Sequence, residues 1–122
     1  MFDVNNLKLV NDSYGHDEGD SYLIRACHLI CDTFKHSPVY RIGGDEFVAI
    51  LTGDDYENCD NLIIEMKNKM SPYSNKLPLP NDYISIASGI AAFSPALDNN
   101  VQDTFKRADE EMYKNKSKMK NI

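Results

Sequence analysis

The stretch Val39-Tyr40-Arg41-Ile42-Gly43-Gly44-Asp45-Glu46-Phe47-Val48-Ala49-Ile50-Leu51 reads as two apolar strands joined by a turn that carries acid. Paired glycines supply the positive φ angles of a tight hairpin, so Gly43 and Gly44 are expected to reverse the chain. Residues 47–51 are continuously apolar, the pattern of a central strand buried on both faces. Asp45 and Glu46 therefore stand at the tip of a buried strand. The hairpin alone leaves two readings open: a solvent-facing acidic turn, or half of a site.

Upstream of the hairpin, Tyr22, Leu23, Ala26, Cys27, Leu29, Ile30, Thr33 and Phe34 recur at helical spacing, with Asp17, Glu18 and Asp20 in the first turn. This predicts an amphipathic helix over residues 17–35, with acids where the helix dipole favours them. Before it, residues 1–4 read as the end of a strand with Asp3 at its tip. Residues 5–10 read as a short helix capped by Asn5 or Asn6, and residues 11–15 as a turn. Downstream, the spacing predicts a helix over 56–70, with Leu62, Ile63, Met66 and Met70 on one face. Pro72, Pro78 and Pro80 begin a loop, and a strand is expected over 83–93, in which Gly89 admits a close neighbour. A last helix is expected over 101–116, with Phe105, Ala108, Met112 and Tyr113 inward.

The order strand, helix, helix, strand, strand, helix, strand, helix implies an α/β (α+β) sandwich of ferredoxin-like type, its central, mostly antiparallel sheet flanked by helices. In that layout the first strand lies beside the hairpin and brings Asp3 near Asp45 and Glu46.

A chain of 122 residues fits a single domain, residues 1–122. No run is apolar and long enough to span a bilayer, and no signal peptide opens the sequence, so a cytoplasmic location is expected. The net charge of −6 argues against a nucleic-acid partner. Cys27, Cys31 and Cys59 are odd in number and lack a Cys-x-x-Cys pair, which fits a reducing compartment. Cys27 and Cys31 are expected to be small core residues, with His28 pointing away from them. His16 is given a structural role in the turn.

Three carboxylates at strand tips suit divalent cations, which take oxygen ligands and share them with substrate phosphates. A two-metal site of this kind can activate a hydroxyl and stabilise a leaving oxygen at phosphorus. The free N–H groups of Asn6, Leu7 and Lys8 at the start of the short helix suit a phosphate chain, with the Lys8 ammonium as counter-charge. Lys116, at the far end of the last helix, is placed to reach another phosphate; any single lysine taken alone is more often an ordinary surface charge. No Gly-x-x-x-x-Gly-Lys-Ser/Thr loop and no Ser-His-Asp or Cys-His pairing is present.

These residues resemble the GGDEF domain of diguanylate cyclases. Arg41-Ile42-Gly43-Gly44-Asp45-Glu46-Phe47 looks like the signature. Asp3-Val4-Asn5, Leu7-Lys8, Asn11-Asp12, Gly15-His16 and Gly19-Asp20 are similar to the family's first motif in order and spacing. Ser88-Gly89-Ile90-Ala91 resembles its late strand, and Ala108-Asp109-Glu110, Met112-Tyr113 and Lys116 its last helix.

The resemblance implies a nucleotidyl-cyclase palm that condenses two GTP molecules, one on each of two facing protomers, into cyclic di-GMP with release of pyrophosphate. It implies two Mg²⁺ or Mn²⁺ ions per active site, held by Asp3, Asp45, Glu46 and the Val4 carbonyl, with Asp45 and Glu46 catalytic. Asn11 and Asp20 would read the guanine edge, and Asn6, Leu7, Lys8, Lys116 and Lys120 would hold the phosphates. Lys120 stands where the family often has an arginine, which keeps charge but loses the two-pronged fork. The family usually carries another acid in place of Asn5 and an aromatic pair in place of Asn6 and Leu7.

Phe34 and Ser37 occupy the positions of the family's Arg-x-x-Asp product-inhibition site, so no such site is expected. The family also has a helix and most of a strand before the position of Asp3, which suggests a shortened domain and a sensor domain outside this chain. The alternative to an active cyclase is a weak or inactive GGDEF module that binds GTP or cyclic di-GMP as an interaction domain.

Overall fold

The computed structural model describes residues 1–121. Nine elements follow one another: β1 (Phe2–Val4), α1 (Leu7–Tyr14), α2 (His16–Thr33), β2 (Val39–Arg41), β3 (Glu46–Ala49), α3 (Gly53–Glu57), α4 (Cys59–Asn68), β4 (Ile86–Ser88) and α5 (Val101–Lys120). The strands form one sheet in the order β2-β3-β1-β4 with every neighbour antiparallel. That is the ferredoxin-like order expected from the alternation of elements.

Strand periodicity divides the sheet's two faces. Phe2 and Val4 alternate with Asp3, and Phe2 pairs with Phe47, so the aromatic pair faces the core while Asp3 and its partner Glu46 face the other way. On the core side, α2 delivers Tyr22, Leu23, Ala26 and Ile30, and α4 delivers Met66, all buried. Phe2 and Phe34 meet with ring centroids 5.7 Å apart. On the opposite side, α5 lies against β4 with Ala108 and Met112 buried. Gly89 permits this approach: a Cβ there would collide with the α5 backbone at Met112 N and Ala108 O, the close neighbour its place in the sequence suggested.

Several local expectations are corrected. Helix α1 continues through residues 11–14 and stops only at Gly15, whose φ of 94° is open to glycine and which donates its N–H to the Asn11 carbonyl. Asp12 and Ser13 are exposed on that last turn, Asn11 is half-buried over Gly19, and all three leave the helix intact. Neither Gly43 nor Gly44 has a positive φ, so the hairpin does not turn through left-handed glycines. Its connection spans four residues, 42–45, closed by a bond from Ile42 N to Glu46 O of 2.9 Å, a length that needs no primed turn.

Only Phe47 and Val48 of the apolar run are buried, and Ile50 is exposed beyond the strand's end. The helix expected over 56–70 is two, divided at Asn58. Strand β4 covers three residues, and α5 extends one turn past Lys116. Phe105 and Tyr113 are exposed because the inward stripe of α5 is narrow, running through Thr104, Ala108 and Met112. Cys31 lies on the outer face of α2 with its Sγ 4.0 Å from that of the half-buried Cys27, so it is not a core residue. His28 is exposed, and His16 is exposed at the start of α2.

Candidate active site

The antiparallel register does the assembly. Asp3 and Glu46 are direct cross-strand partners on one face of the sheet, and Val4 N donates to the Asp45 carbonyl at 2.8 Å, which fixes the turn against β1. One carboxylate oxygen from each of Asp3, Asp45 and Glu46 lies within 4.8 Å of the others. Like charges facing each other across strands are unfavourable unless something positive joins them. Two groups answer to that description.

The first is Lys116, whose Nζ donates to Asp3 Oδ2 at 2.9 Å. It comes from α5, which the Gly89 contact holds against the sheet. The second is a metal ion, and the residues fit one. Asp3 is 3% exposed, and its Oδ1 has no hydrogen-bond partner. A buried oxygen left in that state costs about 1–3 kcal/mol, more when charged, unless a ligand satisfies it. An all-oxygen set of three carboxylates is the donor chemistry that Mg²⁺ or Mn²⁺ accepts.

Electrostatics agree. Burial pushes the Asp3 carboxyl up, Lys116 opposes that, and Asp45 adds to it. Burial also raises Glu46, followed by the charges of Asp3, Asp109 and Asp45. Burial works against the Lys116 ammonium, but the hydrogen bond and charge of Asp3 outweigh it and raise its pKa overall.

The hairpin is braced from within. Arg41 Nε donates to Gly43 O at 3.0 Å and its Nη2 to Gly44 O at 2.7 Å. Nothing in the sequence signals this bracing, since a side chain turning back on its own hairpin leaves no periodic pattern. A Cβ at Gly44 would meet nothing within 4 Å, so chain packing does not demand glycine there.

At the start of α1, Asn6 is the cap residue with φ 64°, but its amide donates to Ser74 O at 2.8 Å and Tyr83 Oη at 3.2 Å. The first-turn N–H groups therefore receive no side-chain acceptor from the cap. Leu7 is half-buried and Lys8 exposed. Asn5 is buried; its amide donates to Ser85 Oγ at 3.0 Å, and its carbonyl accepts from Tyr22 Oη at 2.6 Å. At this position the side chain ties β1 to the β4 approach. Asn11 lies directly over Gly19, where a Cβ would overlap its amide, and Asp20, the next residue of α2, is exposed. Lys120 is exposed on the last turn of α5, one helical turn past Lys116. It makes no ion pair among the described residues.

Comparison with known proteins bears on this geometry. Residues 1–122 match the family described as "Diguanylate cyclase, GGDEF domain". A diguanylate cyclase of Vibrio cholerae is 28% identical over 122 residues, 98% of this chain and 36% of that protein. The probable diguanylate cyclase DgcC of Escherichia coli K12 is 30% identical over 125 residues, 99% of this chain and 32% of that protein. The chain thus spans about a third of the length of these relatives.

Among solved structures, the active GGEEF domain of a Vibrio cholerae diguanylate cyclase superposes with a TM-score of 0.78 at 28% identity, covering 96% of this chain and 74% of that one. The GGDEF domain of DgcB from Caulobacter crescentus, solved with c-di-GMP, superposes with a TM-score of 0.77 at 24% identity, covering 95% and 69%, and speaks to the fold. With a family match over its whole length, this chain belongs to the GGDEF domain family of diguanylate cyclases.

Proposed function

We propose that this chain is the catalytic domain of a diguanylate cyclase, which condenses two GTP molecules into cyclic di-GMP across a pair of facing protomers. The observation that carries this is the convergence of Asp3, Asp45 and Glu46, with the buried Asp3 keeping one carboxylate oxygen unpartnered. In each of two steps the 3′-hydroxyl of one GTP bonds to the α-phosphorus of the other. The α–β bridging P–O bond breaks, and pyrophosphate leaves. Two Mg²⁺ or Mn²⁺ ions per site, when bound, supply charge neutralisation at the phosphates and activation of the hydroxyl.

The chain's own residues supply position. Asp3, Asp45, Glu46 and the Val4 carbonyl would hold the ions, with Glu46 also close to the attacking hydroxyl. The open space over Gly44 lets a nucleotide approach the hairpin backbone. The first-turn N–H groups of α1 at Asn6, Leu7 and Lys8, with the Lys8, Lys116 and Lys120 ammoniums, hold the β- and γ-phosphates. Asn11 and Asp20 read the guanine edge; a purine without its N–H donors would leave Asp20 unpaired. Among the described residues no helix is long and apolar enough to cross a membrane.

The test is to incubate the purified chain with GTP and Mg²⁺ and resolve the nucleotides by chromatography, beside Asp45→Ala. The turn's tie to β1 uses the Asp45 backbone carbonyl, so that variant is expected to fold and to make no cyclic di-GMP. Product from the parent and none from the variant supports the reading. Equal turnover by the variant refutes the role of Asp45. No product from the parent at any protein concentration leaves the non-catalytic binding module.

A further inference from the structure

We propose that Lys116 competes with the divalent cation for Asp3, and by exchanging Asp3 for the substrate's phosphates makes the cation and the triphosphate bind cooperatively. This rests on the reading of the carboxylate cluster as a metal site.

The geometry sets up the competition. Asp3 offers two oxygens: Oδ1 is buried without a partner, and Oδ2 accepts from Lys116 Nζ at 2.9 Å. The same carboxylate belongs to the three-acid cluster whose oxygens lie within 4.8 Å of one another. A divalent cation bound in that cluster and an ammonium at 2.9 Å from one of its ligand residues repel at short range, in surroundings that shield charge poorly. The side chain of Lys116 is 22% exposed and that of Asp3 5%, so water does little to screen the pair.

Withdrawal of the ammonium falls to the side chain. The α5 backbone at Ala108 and Met112 sits against Gly89 too closely to slide, and Asn115 Oδ1 accepts from Ser88 N at 3.0 Å one residue before Lys116. The four-carbon lysine stem can swing while its helix stays docked. A polyphosphate chain at the cluster gives the swung ammonium a new anionic partner. Lys116 then leaves Asp3 to the cation without exposing an unpaired charge. By linkage, the factor by which polyphosphate raises cation affinity equals the factor by which the cation raises polyphosphate affinity.

The lysine thus does more than grip phosphate. A residue that only gripped phosphate would leave cation affinity in the absence of nucleotide untouched, whereas a competitor depresses it. The experiment titrates Mn²⁺ alone into the full chain and into Lys116→Met by calorimetry, then repeats both titrations with saturating non-hydrolysable GTP analogue. Thermal melts check the fold, and Lys116→Gln, which keeps a donor but not the charge, serves if Lys116→Met does not fold.

The expected result is Mn²⁺ binding about tenfold tighter in the neutral variant without nucleotide, and a smaller gain on adding the analogue than the parent shows. Equal Mn²⁺ affinity of parent and variant without nucleotide, with Asp45→Ala still abolishing that binding, overturns the proposal and leaves the metal site standing. Mn²⁺ binding that is absent in every protein, or that survives Asp45→Ala unchanged, overturns the metal-site reading itself.

Discussion

Two residue-scale features lead to measurable consequences. Asp98 is buried in the turn before α5, where Arg107 Nε donates to its Oδ1 at 2.8 Å, Ser94 N to its Oδ2 at 3.0 Å and Thr104 Oγ1 to its Oδ2 at 2.9 Å. Arg107 chiefly, with these donors, holds its carboxyl well below the ordinary 3.8. A depressed carboxyl stabilises the fold above its unfolded pKa and loses that contribution as pH falls through the folded value. Asp98→Asn is therefore expected to lower the urea midpoint at neutral pH and to flatten its further fall below pH 3.8, read from a pH series of unfolding curves. Gly19→Ala is different: its methyl meets only the movable amide of Asn11. Stability is expected to change by less than about 1 kcal/mol, while guanine-nucleotide affinity falls several-fold as Asn11 is pushed aside, measured by nucleotide titration.

At this scale, Asp3, Asp45 and Glu46 were legible as one group because strand pairing leaves little freedom over which residues face each other. The partner of Lys116 was not legible, because a long side chain reaching 113 positions across the sequence leaves no periodic trace. Gly43 and Gly44 misled for a related reason. Glycine permits a positive φ without requiring it, and the four-residue connection did not use it.

Among the elements, the decisive contact is α5 on β4. It brings Lys116 to Asp3, and it depends on Gly89, where the colliding atoms are helix backbone that cannot rotate away. Gly89→Ala is expected to cost about 1–3 kcal/mol or more, seen as a lower thermal midpoint. It should also tighten Mn²⁺ binding in the absence of nucleotide, since the displaced helix carries the competing Lys116 away from Asp3. The existence and type of the main elements followed from apolar periodicity, strongest for α2, where five of the eight inward positions named are buried within the helix. Their ends did not follow. Helix α1 ran on through polar residues because an exposed last turn tolerates them until Gly15, and the apolar stretch over 83–93 supports only three paired residues in β4. What limits β4 is the pairing available from β1, itself three residues long.

For the whole molecule, the sheet order places the hairpin and β1 side by side, so the acidic tip and Asp3 belong to one surface. The proposed reaction needs two such surfaces facing each other, each presenting one GTP to the other. Turnover per chain should then rise with protein concentration until facing pairs saturate. The most direct test is the initial rate of cyclic di-GMP formation from GTP and Mg²⁺ across a wide range of chain concentrations. The account predicts product whose rate rises more steeply than in proportion to the chain at low concentration, and which vanishes in Asp45→Ala. A rate strictly proportional to chain concentration throughout, or product formation that ignores Asp45, would contradict it.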